Sequence, residues 1–331
     1  MKFVLGGREL ALLQLLYSPV TNDAELNSVS DAAEKMGVSV PVVSRVVSSL
    51  EQKGFLQVTR EGKRKLIAFS TSPPALALKE LAAANSHVRL ERIISNSAAR
   101  VLSGILNPPA SVEEIARTTR LPEITVRRTV GRLLQHGIVA RTKPAEYRII
   151  LPRLKEFVEA YVNHALEAKR AGVQGSLLTC GPNALLRTTA KNPPKMVLTG
   201  ISVFHKYGVK LIETDARDYY LNAFDDKPKQ PKLEVAAAHC LARATINASS
   251  REAAYAMLAI RKNLKKFDEK LFLQAAADFA VENDARGGLN KVKQFVMGER
   301  WPEPLIKDFP HAGGPVWPGW GEFEELVKQY E

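Results

Sequence analysis

Two stretches of this chain carry the same pattern 83 residues apart, and the recurrence restricts the fold more than any other feature. Ser28-Val29-Ser30-Asp31 lies on Ser111-Val112-Glu113-Glu114 without a gap. The register runs on through Ala33 on Ala116, Val38 on Leu121, Val43 on Val126, Arg45 on Arg128, Val47 on Val130, Leu50 on Leu133 and Gly54 on Gly137. Apolar, capping, arginine and glycine positions that coincide in one register mark an internal structural repeat. In the second copy, Ser111 and Glu114 form a capping box that opens a helix through Thr118, closed by Arg120-Leu121-Pro122. The next helix starts near Glu123 and places Val126, Val130 and Leu133 on one apolar stripe, with Arg128, Arg132 and Gln135 opposite. Gly137 stops it. Ile138 to Ala140 and Tyr147 to Ile150 then read as two strands joined by the polar turn Lys143-Pro144-Ala145-Glu146.

The first copy follows the same order. Residues 9–17 make a helix with Leu10, Leu13 and Leu16 or Tyr17 facing inward, and residues 21–27 a polar loop. A scaffold helix covers residues 30–36, Gly37 supplies the turn, and a recognition helix runs from about Val40 to Lys53. With Val43, Val47 and Leu50 buried, Arg45, Ser49 and Gln52 point outward and Ser48 sits at the edge; strands near 55–60 and 65–70 flank a basic turn. A helix with an apolar back and a guanidinium front suits the DNA major groove, where arginine pairs with guanine edges or phosphates. A merely solvated face is the other reading of Arg128 and Arg132.

Both segments resemble winged helix-turn-helix domains of the MarR-type and ArsR-type transcription regulators. The first does so through Asp31-Ala32-Ala33, Val42-Val43-Ser44-Arg45 and Leu50-Glu51-Gln52-Lys53-Gly54-Phe55-Leu56, followed by the basic wing Arg60-Glu61-Gly62-Lys63-Arg64-Lys65. The resemblance implies DNA contacts from Ser44, Arg45, Arg60, Lys63, Arg64 and Lys65, with Ser48, Ser49 and Gln52 on the same exposed side. In the second unit the set is Thr125, Arg127, Arg128, Arg132, Gln135 and Lys143. That unit departs from the family by carrying Arg127 where Ser44 sits and by a shorter, less basic wing.

Between the repeats, Thr71-Ser72-Pro73-Pro74 breaks a strand and starts a long helix, Ala75 to about Ser95. Its Leu78, Leu81, Val88 and Ile94 suit either a connector or a dimerisation surface. Ala98 to Leu106 opens the second unit and Asn107-Pro108-Pro109 closes that helix. A helix from Arg153 to about Arg170 follows, with Leu154, Phe157, Val158, Tyr161, Ala165 and Leu166 on one side; Gly172 to Gly175 is a hinge. Beyond it, Met196 to Gly200 reads as a buried strand entering a helix (201–207) and Tyr219 to Leu221 as another strand. Helices over 232–247, 250–262, 268–282 and 288–297 follow. The order VLTGISVFHKYGV then ETDARDYYL resembles the C-terminal domain of AbiEi-type antitoxin regulators and, more distantly, nucleotidyltransferase-like folds. A nucleotidyltransferase needs two carboxylates for its metal ions. Here Gly200-Ile201-Ser202 and Asp215-Ala216-Arg217-Asp218 put arginine in place of the second carboxylate, which implies lost activity.

Charge concurs with the repeats. Residues 1–171 hold 25 Lys and Arg against 16 Asp and Glu, a balance of +9, whereas residues 172–331 hold 22 against 19, a balance of +3. Such asymmetry is the footprint of a polyanion binder. No apolar run approaches the roughly 20 residues of a membrane helix, and Arg8-Glu9 interrupts the N-terminal stretch, so an intracellular, nucleoid-associated protein in the cytoplasm is expected. Cys180 and Cys240 lie far apart and read as buried thiols. The six histidines show no metal-ligand spacing, no phosphate loop is present, and no cofactor is implied. Trp301, Trp317 and Trp320 crowd the last stretch, to pin the tail or to form a partner surface.

The expected fold is therefore mostly α with α+β: winged helix-turn-helix units at 1–73 and 97–151, connecting helices at 74–96 and 152–171, and a C-terminal α+β domain with a helical tail at 172–331. The expected function is sequence-specific binding of double-stranded DNA by a transcription regulator, without enzymatic activity. The C-terminal domain would take a small-molecule or protein effector, and the chain could form a homodimer. The alternatives are a protein-docking tandem winged-helix module and a nucleotidyltransferase-like enzyme.

Overall fold

A computed structural model of the chain describes residues 5–17, 28–62, 64–85, 89–95, 97–106, 110–144, 146–170, 172–211, 215–301 and 317–330. It is an α+β protein of helices and small antiparallel sheets, divided into two compact units, Met1–Ala168 and Lys169–Glu331. Among the described residues no helix is long and apolar enough to cross a membrane.

The N-terminal unit begins with α1 (Gly7–Tyr17), α2 (Val29–Met36) and α3 (Val40–Gln52), then the hairpin β1 (Leu56–Glu61) and β2 (Arg64–Phe69). Leu10 and Leu13 are buried on α1 as expected and Leu12 joins them, whereas Leu16 and Tyr17 are half-buried. The expected loop 21–27 lies outside the described residues. Next come α4 (Pro73–Ala84), α5 (Leu90–Ile94) and α6 (Ala98–Ser103), and then the second copy: α7 (Val112–Thr119), α8 (Glu123–Gln135), β3 (Val139–Lys143) and β4 (Glu146–Ile149). The 83-residue offset holds for both ends of α2 on α7 and of α3 on α8, and for the start of β1 on β3.

Local chemistry explains why. The Ser28 hydroxyl accepts from the Asp31 amide at 3.2 Å. At Ser111 the box is reciprocal, with Glu114 N donating to Ser111 Oγ at 3.2 Å and Ser111 N to Glu114 Oε2 at 2.6 Å. The turn between the paired helices needs one left-handed residue. Gly37 supplies it at φ 63°, and Arg120 takes the same place at φ 57°, a conformation that costs a non-glycine residue about 1 kcal/mol. The stripes behave as the spacing predicts, with Val43, Val47, Leu50, Val126, Val130 and Leu133 all buried.

The long connecting helix is a correction. Asn85 ends α4 at Ala84, its Nδ2 donating to Leu81 O at 2.9 Å and to Pro152 O at 3.0 Å, and α5 is a separate short helix. Leu78, Leu81 and Ile94 are buried within the chain rather than held out for a partner; Val88 lies outside the described residues.

Helix α9 (Leu154–Arg170) returns to the first copy. Its Phe157 and Tyr161 stack, and both pack on Phe55 at centroid distances of 6.3 and 5.6 Å. Beside them lies the buried ion pair of Lys53 and Glu9, at 2.5 Å. Gly54 stands at φ 79°, and a Cβ there would fall 2.6 Å from His164 Nε2. Gly54→Ala is therefore expected to cost about 2 kcal/mol, from the left-handed backbone and the displaced ring together. A urea unfolding midpoint within error of wild type would disprove the contact.

The C-terminal unit holds two elements that the sequence did not reveal, β5 (Ser176–Cys180) and β6 (Asn183–Thr188). With β7 (Val197–Leu198) and β8 (Arg217–Asn222) they form an antiparallel sheet in the order β5-β6-β8-β7. The helix expected at 201–207 is a 3-10 helix, Gly200–Tyr207. Helix α10 (Leu233–Ile246) is buried along nearly its whole length against the sheet: His239 stacks on Tyr220, and Arg243 Nη1 donates to Leu185 O at 3.2 Å. Around it pack α11 (Ser250–Asn263), α12 (Glu269–Ala277) and α13 (Glu282–Met297), with α14 (Trp320–Tyr330) on α11.

The helices expected at 268–282 and 288–297 divide elsewhere, because Ala280 turns left-handed at φ 58° and α13 runs straight through Gly287-Gly288. Gly288 is small because a ring lies over it, Trp317 Cη2 being 2.5 Å from where a Cβ would stand. Gly288→Ala should destabilise this unit by about 1–2 kcal/mol, since overpacking outweighs the gain in helix propensity. Unchanged or higher thermal stability would show that the ring is not held there. Trp301, Trp320, Phe295 and Phe323 form an aromatic cluster with centroids 4.8–6.4 Å apart, so the described tryptophans pin the tail. Cys240 is buried, and burial holds its thiol well above the ordinary range; Cys180, expected to be buried, is half-buried.

Candidate nucleic-acid interface

In the first copy, α3 turns one side to the core and the other toward the hairpin. Ser44, Ser48 and Glu51 from α3 and Arg60 and Lys65 from β1 and β2 line one groove of about 380 Å3, floored by Val47 and Val58. The register of the hairpin explains the meeting, since Arg60 pairs with Lys65 across the two strands. Lys65 Nζ donates to Ser44 Oγ at 3.4 Å, tying strand to helix. Arg45, Gln52 and Arg64 are exposed outside this groove, and Arg45 Nε donates back to Pro41 O at 3.3 Å. Ser49 is half-buried, and Lys63 lies outside the described residues.

In the second copy Arg127, Arg128 and Gln135 are exposed along α8. Arg127 meets Glu123 at 3.3 Å, one turn back, in a solvent-exposed pair worth little to stability. Lys143 is exposed and 3.9 Å from Glu146. Two residues depart from the expected open face: Thr125 and Arg132 are both half-buried, and the Arg132 Nε is enclosed. Arg132 shares its offset position with Ser49, which is half-buried too, so this site on the second helix is a flank in both copies.

Arg148, not among the expected contacts, stands exposed on β4, where it pairs with Ala140 as Ala68 pairs with Gln57 in the first copy, so it has no cationic counterpart there. Arg141, exposed on β3 over the Tyr147 ring at 5.8 Å, is a second cation on the same hairpin. The hairpin of the second copy is shorter than that of the first but also carries cations.

The residues likened to a nucleotidyltransferase turn also come together, in the C-terminal unit. Asp218 N donates to Ser202 Oγ at 2.8 Å, and Gly200, at φ 54°, lies against the Asp218 carboxylate. That carboxylate is taken by guanidiniums: Arg187 binds it through Nε at 2.7 Å and Nη2 at 2.9 Å, and Arg243 Nε stands 3.4 Å away. Arg187 also binds Glu252. Its hydrogen bonds to Asp218, chief among these contacts, hold it more firmly protonated than an ordinary arginine, whereas burial lowers the pKa of Arg243. Asp215 is exposed, three residues away on the turn before β8. Among the described residues no group of three or more histidine, cysteine, aspartate and glutamate side chains is placed to hold a metal ion.

Compared with models of protein families and with curated proteins, the sequence matches none.

Proposed function

We propose that the chain is a sequence-specific double-stranded DNA-binding regulator of transcription, built on two tandem winged helix-turn-helix units whose second helices, α3 and α8, enter the major groove. The observation that carries this reading is the placement of exposed arginine at one offset position on both helices, Arg45 and Arg128, behind which the matching stripes are buried. The groove of Ser44, Ser48, Arg60 and Lys65 adds cations and hydroxyls where a helix and its wing straddle a phosphate backbone. Two units in one chain would cover neighbouring half-sites that a dimer otherwise covers. The C-terminal unit serves as effector or partner domain of this nucleoid-bound, cytoplasmic regulator.

Fluorescence anisotropy of the full chain on mixed duplex DNA across a salt series tests the proposal. Binding should weaken steeply with salt, with a log-log slope of roughly 0.9 per phosphate neutralised. No binding at low salt would overturn it and favour a protein-docking role for the same surface.

A further inference from the structure

The C-terminal unit contains a cavity of about 680 Å3 between the 3-10 helix, β8 and the first turns of α11. That volume suits a drug-sized or metabolite-sized molecule. Leu198, Ile201, Val209 and Leu211 give its lining apolar surface. Lys206, Arg217 and Arg251 bring cations to it, and the N-terminal end of the 14-residue α11 adds its partial positive charge. Two carboxylates reach the cavity, Asp218 and Glu252, and both are already engaged by Arg187. Among the described residues Arg217 and Arg251 have no carboxylate within ion-pair distance, Arg251 bonding instead to Tyr255 Oη at 2.8 Å. The cavity therefore carries surplus positive charge along with apolar surface.

We propose that this cavity binds a small organic anion with an apolar, ring-sized body. The anionic group is held by Arg217 and Arg251, and the body lies on Ile201 and Leu211. This deepens the effector role given to the unit above and rests on that role only for its regulatory meaning. Guanidinium is the fitting group for such an anion, since its planar donors match carboxylate, sulfonate or phosphate oxygens.

The test uses the full chain and two fluorescent probes that differ in one group. 8-Anilinonaphthalene-1-sulfonate has the anion and the rings; N-phenyl-1-naphthylamine lacks only the sulfonate. The sulfonate is expected to bind saturably, one per chain, about tenfold or more tighter than the neutral probe, a tenfold step being what one charge-assisted hydrogen bond supplies. Arg217→Gln and Arg251→Gln should each weaken it about tenfold. Arg286→Gln, on α13 and outside the cavity, should not. Both arginines stand where their loss removes no ion pair, so both variants should fold, and their tryptophan fluorescence verifies this. Equal affinity for the two probes, or undiminished sulfonate binding by both variants, would overturn the proposal. Duplex affinity with and without bound sulfonate reports separately on the regulatory role. An unchanged value would retire that role and leave the binding site standing.

Discussion

Asp218→Ala should destabilise the C-terminal unit by about 3–5 kcal/mol, the usual consequence of deleting one partner from a buried ionic cluster. Asp218 and Arg243 are each about 3% exposed at the side chain, and the carboxylate lies between two guanidiniums. Removing it leaves Arg243 buried, with its backbone acceptors at Leu185 and Ser176 but no counter-charge on this side. Arg187 keeps only Glu252. The measurement is direct because Trp301, Trp317 and Trp320 all lie in this unit, so tryptophan fluorescence in urea follows its unfolding without signal from the rest of the chain. Asp215→Ala, at an exposed carboxylate three residues away, is the control and should change little. A loss under about 1 kcal/mol at Asp218 would mean that water screens the cluster as it does surface pairs.

The second large effect is on binding. Arg45→Ala combined with Arg128→Ala should weaken specific duplex affinity by about 2–6 kcal/mol, twice the 1–3 kcal/mol of a single base-reading arginine. The two residues sit on separate helices of separate copies, so their contributions should add. Even the lower figure is a loss of about 30-fold. Arg60→Ala and Lys65→Ala, in the groove beside the wing, should instead weaken all sequences alike and flatten the salt dependence. If the double arginine variant binds its selected site as wild type does, α3 and α8 are not the reading helices.

The helical half of the fold was legible because its signals are local. A capping serine, a stripe at spacings of four and three, and a glycine at the exit each act within one or two turns, and the offset of 83 residues doubled every one of them. Where tertiary contacts decide, the sequence misled. Gly288 looked like a helix start, but it is a gap filled by Trp317 from across the unit. The connecting helix looked continuous until Asn85 found Pro152, 67 residues away. Strand β6, Asn183–Thr188, is buried on both faces and so lacks the alternation that reveals a half-buried strand.

The candidate sites divide along the same line. Arg45, Arg128 and the wing cations follow from helical periodicity and turn position. The cluster of Arg187, Asp218, Arg243 and Glu252 draws one residue from each of four elements, and no spacing along the chain announces it. Gly200 and Ser202 did attract notice, through a resemblance to a phosphate turn. In the structure both press on Asp218.

The packing of Phe55 on Phe157 and Tyr161 has a consequence for how the molecule is made. On a ribosome the first copy of the repeat, with its hairpin ending at Phe69, emerges well before the helix that covers it, which begins at Leu154. Until then Phe55 and the Lys53–Glu9 pair have no lid, and closing so long a loop is slow compared with forming either hairpin. The earliest-made part of the chain is thus among the last to be finished, and a piece cut at residue 73 would lack the helix that completes its core.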